Sequence, residues 1–170
     1  MKSLRPTLAL FILFAATLTV AQTTAQKQFD QMKTLVGNWE GKNSQGHDLR
    51  VTFDSTGGDS AIMSDIISDE HHGQDMVSMI HMDGPNRLIL THYCSAGNQP
   101  RMSATQSADG KTITFEFFDG TNIGDKGHMQ RVAFAILDPN HHTEEWTFNA
   151  GPGKEKKEVF DLHRPEVAQK

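Results

Sequence analysis

The chain has 170 residues, with 16 basic and 21 acidic side chains and a formal net charge of −5. Setting aside Lys2 and Arg5 with the N-terminal segment leaves 14 basic against 21 acidic residues, a charge of −7, which argues against nucleic acid or an anionic membrane surface as partner. The lone cysteine, Cys94, excludes an intrachain disulfide and leaves a buried inert thiol, a ligand or a reactive thiol as its roles.

Taken in chain order, the first element is a leader. Lys2 and Arg5 precede the apolar run "LALFILFAATLTV", and Thr19-Val20-Ala21 offers small residues for cleavage. The run is shorter than the about 20 apolar residues of a membrane span. A signal peptide over residues 1–21 is expected, with the mature chain starting at Gln22, or at Gln26 if Thr23-Thr24-Ala25 is used instead. The product is then exported, periplasmic or secreted, with no stable membrane insertion after cleavage. Cleavage at the first site leaves 149 residues, enough for one domain with a core. That domain is expected over 27–164, followed by a tail over 165–170.

Phe29, Met32, Leu35 and Val36 recur at helical spacing and Gly37 can end the run, so one short amphipathic helix is expected over 27–36. Beyond it the period becomes two. Leu49, Val51 and Phe53 alternate with polar residues, as do Ile113, Phe115 and Phe117. The turn signals "STGGDS", "DGPN", "SAGNQP", "ADG", "LDPN" and "NAGPG" separate runs rich in Val, Ile, Thr and Phe. Tight returns join antiparallel neighbours, and a long meander closes to remove its edges. The expected fold is all-β: an up-and-down antiparallel barrel of nine or ten strands with a short N-terminal helix.

The segment "LTHYCSAGNQPRM" (90–102) gathers the titratable and hydrogen-bonding groups His92, Tyr93, Cys94, Asn98, Gln99 and Arg101 around one turn. Treating "DGPN", "SAGNQP" and "ADG" as simple hairpin turns places Met79 opposite Leu90, Val77 opposite His92, Cys94 opposite Arg101 and Arg101 opposite Phe117. On that register Val77, Met79, Leu90, His92, Cys94, Arg101, Ser103, Phe115 and Phe117 share the inner face, while Tyr93, Met102 and Ala104 lie outside. An apolar lumen with polar groups at one end is the anatomy of a small-ligand site. In the other reading Arg101 keeps its head in water at the mouth.

His92 and Cys94, two apart on a strand, point the same way and have ligand types suited to a transition metal, but a site needs one or two more ligands. As nucleophile and base they stand about 6–7 Å apart at Cα, too far for direct proton transfer. No G-x-S-x-G, H-E-x-x-H or Gly-rich phosphate loop occurs, so no residue takes a catalytic role and enzymatic activity stays open. "EHHG" (70–73) and "NHHTEE" (140–145) are read as turns, because adjacent histidines on an extended chain point to opposite faces.

Three stretches carry a resemblance. "LVGNWEG" (35–41) resembles the opening of calycin-type barrels, in which a Gly-x-Trp follows a short helix. "LTHYCSAGNQPRM" and "GHMQRVAFAILDPNHHTEEWTF" (127–148) resemble a group of exported bacterial proteins of lipocalin-like or nitrobindin-like build. The resemblance implies a barrel and a lumen over nearly the whole mature chain and no particular reaction. The matching positions include Trp39, His92, Cys94, Asn98, Gln99, Arg101, His128 and Trp146. The chain departs from lipocalins in having no disulfide. The nitrobindin side implies haem held by one histidine, with His92, His128 and His163 as candidates.

The expected role is binding of a small, mainly apolar or amphipathic molecule in the lumen. His92, Cys94, Asn98, Gln99, Arg101 and His128 would be polar anchors, Phe115 and Phe117 the floor, and Trp39 and Trp146 walls or packing. The alternatives are an enzyme or a metal- or haem-binding barrel using the same corner, and a structural barrel whose interior is filled.

Overall fold

The computed structural model describes residues 22–68, 76–106 and 110–166; residues 1–21, over which a signal peptide is expected, the His71-His72 pair and the end of the expected tail lie outside the described residues. The helix α1 spans Thr24–Lys33, three residues earlier at each end than the periodicity suggests. Thr23 starts it as an N-cap, its Oγ1 accepting from Gln26 N at 3.2 Å. The apolar pair that extended the pattern, Leu35 and Val36, lies in the turn that follows; Leu35 is buried and Val36 exposed.

Ten strands follow: β1 Gly37–Asn43, β2 Asp48–Thr56, β3 Ala61–Ser68, β4 Met76–Met82, β5 Leu88–Tyr93, β6 Gln99–Gln106, β7 Thr112–Thr121, β8 His128–Asp138, β9 His141–Asn149 and β10 Glu155–His163. Each pairs antiparallel with its neighbours in sequence, and β1 pairs with β10, so the sheet closes into a barrel. The fold expected from the period-two runs is the one observed.

The helix closes one end. Thr23 Oγ1 donates to Pro85 O at 2.6 Å, Gln28 Nε2 to Thr105 O at 3.1 Å and Gln31 Nε2 to Gly110 O at 3.3 Å. Arg164, beyond β10, lies 4.0 Å above the Trp39 indole and donates to Val36 O at 2.9 Å and Thr34 O at 3.1 Å. The cation thus satisfies carbonyls at the C-terminal end of α1 while stacking on an aromatic face. Trp39 Nε1 donates to Leu35 O at 2.6 Å. Beneath this lid Phe53, Ile62, Ile80, Leu88, Phe115, Phe134 and Leu162 are fully buried, so the helix-side half of the lumen is solid.

Two strands are turned over relative to the expected register. Val77 pairs with Tyr93, Ser78 with His92 and Ile80 with Leu90. The cause is loop length: Asp83 N donates to Arg87 O at 2.8 Å, so three residues, not two, make the turn, with Gly84 at φ 68°. In the next hairpin Cys94 N donates to Asn98 O at 3.0 Å around Ser95-Ala96-Gly97, with Gly97 at φ 82°, a three-residue loop ending in a left-handed glycine. This sets Thr91, not Cys94, opposite Arg101. On the far side Arg101 pairs with Asp119 and Met102 with Phe117, the shift between them leaving Phe118 as an extra residue. A one-residue slip inverts every side chain of a strand. Ser78, Ile80, Met102 and Ala104 therefore take the inward parity, and Val77, Met79, Arg101 and Ser103 the outward one. The faces expected for β5 and β7 stand, with Leu90, His92 and Phe115 buried and Tyr93 exposed.

Candidate functional site

The mouth opposite the helix opens onto a cavity of about 480 Å³. Its apolar wall is Ile66, Met76, Met129, Trp146, Phe148 and Phe160, and its polar groups are His92, Cys94 and the rim residues Gln45, Ser95, Lys156, Lys157 and Glu158. These come from the mouth-side halves of β3, β4, β5, β8, β9 and β10, where inward alternation continues past the packed half.

His92 lies in the wall with 1% exposure. Its Nδ1 is 2.9 Å from Ser78 Oγ on the opposed position of β4, and its ring tilts against Trp146 with centroids 4.9 Å apart. The Nε2 is buried and has no protein partner. Burial favours the uncharged ring and lowers its pKa to about 4. Ser64, cross-strand from Ser78, continues the row inside the lumen, and its Oγ is likewise buried without a protein partner.

The opposite wall holds a second polar group that the sequence reading missed. Glu144 on β9 is fully buried; it accepts from Trp146 Nε1 at 2.9 Å and lies 3.2 Å from His142 Nε2. The His142 ring in turn meets Trp39 edge-on, with centroids 4.2 Å apart. A column of contacts therefore runs from the helix-side lid through His142 and Glu144 to Trp146 and His92. The signal was available: His142, Glu144, Trp146 and Phe148 recur at strand spacing just after the "LDPN" turn, but the polar look of "NHHTEE" suggested a loop.

Of the residues expected at the site, the cavity brings together His92, Cys94 and Trp146. Arg101 is not there. It lies on the outer wall, paired through both its Nε and Nη2 with the Asp119 carboxylate and 5.3 Å above the Phe118 ring. Asp119 also raises its pKa. Gln99 is taken by Thr121 Oγ1 and Asn122 Nδ2, both donating to its Oε1, at 2.7 and 3.0 Å. Asn98 is buried but structural, its Nδ2 tying the β5–β6 loop to Gly127 O at 2.7 Å. Phe115 belongs to the packed half, 5.9 Å from Phe134. Phe117 packs against His128, whose Nε2 lies 3.2 Å from Gln130 Oε1. Trp39 is part of the opposite lid. The crowded "HYCSAGNQPR" turn is thus in part a hydrogen-bonded corner, with His92, Cys94, Ser95 and Ala96 lining the cavity.

Fold and site together define a closed ten-stranded antiparallel barrel, plugged by a helix at one end and open onto an apolar pocket at the other. No family model matches the chain, and no curated protein matches it. It is similar in structure to Rv2717c from M. tuberculosis, with a TM-score of 0.59 over 81% of this chain and 97% of that one, at 14% sequence identity. At that identity the likeness is one of fold.

Proposed function

We propose that this protein is an exported barrel that binds a small, mainly apolar molecule at the open mouth, with His92 as its polar anchor. One observation carries the reading: the buried, unpartnered Nε2 of His92 in an otherwise apolar wall. Leaving such a group unpaired costs about 1–3 kcal/mol, which a ligand able to hydrogen-bond it recovers. The cavity volume of about 480 Å³ lies within the range of about 300–1,000 Å³ usual for small-molecule sites. Because the imidazole is neutral above about pH 4, the matching group is a hydroxyl or carbonyl. Arg101, paired with Asp119 on the outer wall, takes no part in holding it.

The test is mass spectrometry of the native protein purified from its own host, followed by displacement of an apolar fluorescent probe. The probe should bind one to one and His92→Phe should weaken it about tenfold, the value of roughly 1.4 kcal/mol. A parent protein that takes no probe, or a variant that binds like the parent, would sink the reading. Export is supported by the charged start and apolar run of the leader.

A haem-binding reading rests on the same nitrogen. A neutral imidazole with a free Nε2 in an apolar pocket is the donor for an axial position. Of the three candidate histidines, His128 lies against Gln130 and His163 lies on the outer wall, leaving His92. Bound haem would supply redox or gas-binding chemistry. Titration with hemin distinguishes the two readings by the shift of its main absorption band and the loss of that shift in His92→Phe. An enzymatic reading has less support. Ser78 and His92 stand at the contact distance of a nucleophile and base, but Ser78 is fully buried and does not line the cavity.

A further inference from the structure

The outer wall of the barrel carries a second cluster, unconnected with the lumen. His141 on β9 and His163 on β10 are directly opposed across the two strands, and Asp161 lies two residues before His163 on the same face. The two imidazoles stack, with centroids 4.1 Å apart and an interplanar angle of 20°. Both Nε2 atoms converge on one carboxylate oxygen: His141 is 2.7 Å and His163 3.4 Å from Asp161 Oδ1. The donor atoms of all three lie within 4.8 Å of one another, the one such grouping of three His, Cys, Asp or Glu side chains among the described residues.

We propose that His141, Asp161 and His163 form a binding site for a divalent late first-row transition metal, clamping β9 to β10. Two imidazoles and a carboxylate are the ligand set that such ions accept. Donors about 2.0–2.1 Å from a tetrahedral zinc ion stand about 3.3 Å apart, so the cluster needs only small side-chain rotations to close on one. The ligands sit on paired strands of a closed sheet rather than on loops, which fixes their backbones in advance. Lys42 does not fill the place: it is opposed to Asp161 across β1 and β10, but its amine is held by Asp48. Glu40, opposed to His163 on β1, is the nearest carboxylate by register to supply a fourth oxygen, with water otherwise completing the shell.

The site was not legible from "NHHTEE" alone. Adjacent His141 and His142 do point to opposite faces, one to solvent and one into the core. The second imidazole comes from His163, 22 residues on, through the β9–β10 pairing.

Calorimetric titration of the tag-free, full exported chain with Zn²⁺, and separately with Ni²⁺ and Cu²⁺, tests this. One equivalent of Zn²⁺ should bind, with Cu²⁺ tighter. His163→Ala and Asp161→Asn should each weaken Zn²⁺ at least about tenfold. Both positions are more than half exposed, so far-UV circular dichroism should be unchanged. Replacing His71 and His72 together with Ala should leave the affinity as it was. The absence of a bound equivalent would overturn the proposal. So would affinity that survives His163→Ala, or affinity that disappears with His71 and His72.

Discussion

Ser78 Oγ and His92 Nδ1 lie 2.9 Å apart on opposed positions of β4 and β5, inside the barrel. The contact occupies one ring nitrogen and leaves the other, the buried Nε2, without a protein partner, in a residue that lines the cavity. Either tautomer is compatible with it, since the hydroxyl can donate or accept. The site can therefore offer a ligand an acceptor or a donor.

Burial of His92 makes stability depend on pH. Its folded pKa of about 4 is below the ordinary 6.5, so between these values the unfolded chain binds more protons and stability rises with pH. The neutral ring costs nothing above about pH 6.5, and stability is lost as pH falls from there toward 4. The gap corresponds to about 3 kcal/mol. Urea midpoints measured from pH 7 to pH 4 should fall more steeply in the parent than in His92→Gln. Parallel slopes would show that His92 titrates normally.

Arg101 has moved from the centre of the expected site to its outside. Arg101→Lys should leave probe affinity unchanged, because its partners Asp119 and Phe118 are on the outer wall. Tyr93→Phe should be equally silent, being exposed. A loss of probe binding in Arg101→Lys would mean that the β5–β6 loop is not the three-residue turn described above.

The barrel was legible because strands alternating with clear turn signals leave few closed alternatives. Faces were legible only where one side of a strand is plainly apolar. In β7 Ile113, Phe115 and Phe117 settle the matter. In β4 apolar residues occupy both faces, Met76 and Ile80 inward, Val77 and Met79 outward, so its register depended wholly on the length of the "DGPN" loop. In β6 Arg101 and Ser103 compete with Met102 and Ala104, and a bulge at Phe118 adds a shift that no pattern announces. His92 and Cys94 were recoverable from parity on one strand. Glu144 shares the parity of His142, Trp146 and Phe148, but a buried carboxylate contradicts the pattern used to find the core, so the signal was passed over; Trp146 and His142 hold it there.

Gly37 has φ 120°, and a Cβ there would stand 2.4 Å from Arg164 Nη1. Gly37→Ala should lower stability by about 1–3 kcal/mol through backbone strain and push the guanidinium off Trp39. Urea unfolding followed by far-UV circular dichroism reads this, and the cavity at the far end should keep its probe affinity.

The mature N-terminus should be Gln22. Cleavage after Ala25 would remove Thr23, the N-cap whose hydroxyl also reaches Pro85 O, together with the first two residues of α1. Loss of such a cap costs about 1 kcal/mol. N-terminal sequencing of the exported protein settles the choice, and a start at Gln26 or at Met1 would refute it.

The two tryptophans, Trp39 and Trp146, separate the ends of the barrel spectroscopically. Trp39 is sealed beneath Arg164 at the helix end, while Trp146 lines the cavity and touches His92. Intrinsic fluorescence should therefore change when a ligand occupies the open mouth, and the change should come from Trp146. In Trp146→Phe the response should vanish; in Trp39→Phe it should persist. The Trp146 substitution also removes the indole N–H that satisfies Glu144 Oε2, leaving a buried carboxylate short of a partner at a cost of about 1–3 kcal/mol or more. Glu144→Gln provides the control, because an amide of the same shape can still accept from the indole through its carbonyl. It should keep both the fold and the ligand response. A response that stays in Trp146→Phe and disappears in Trp39→Phe would place the ligand at the helix-side lid and reverse the polarity of the barrel.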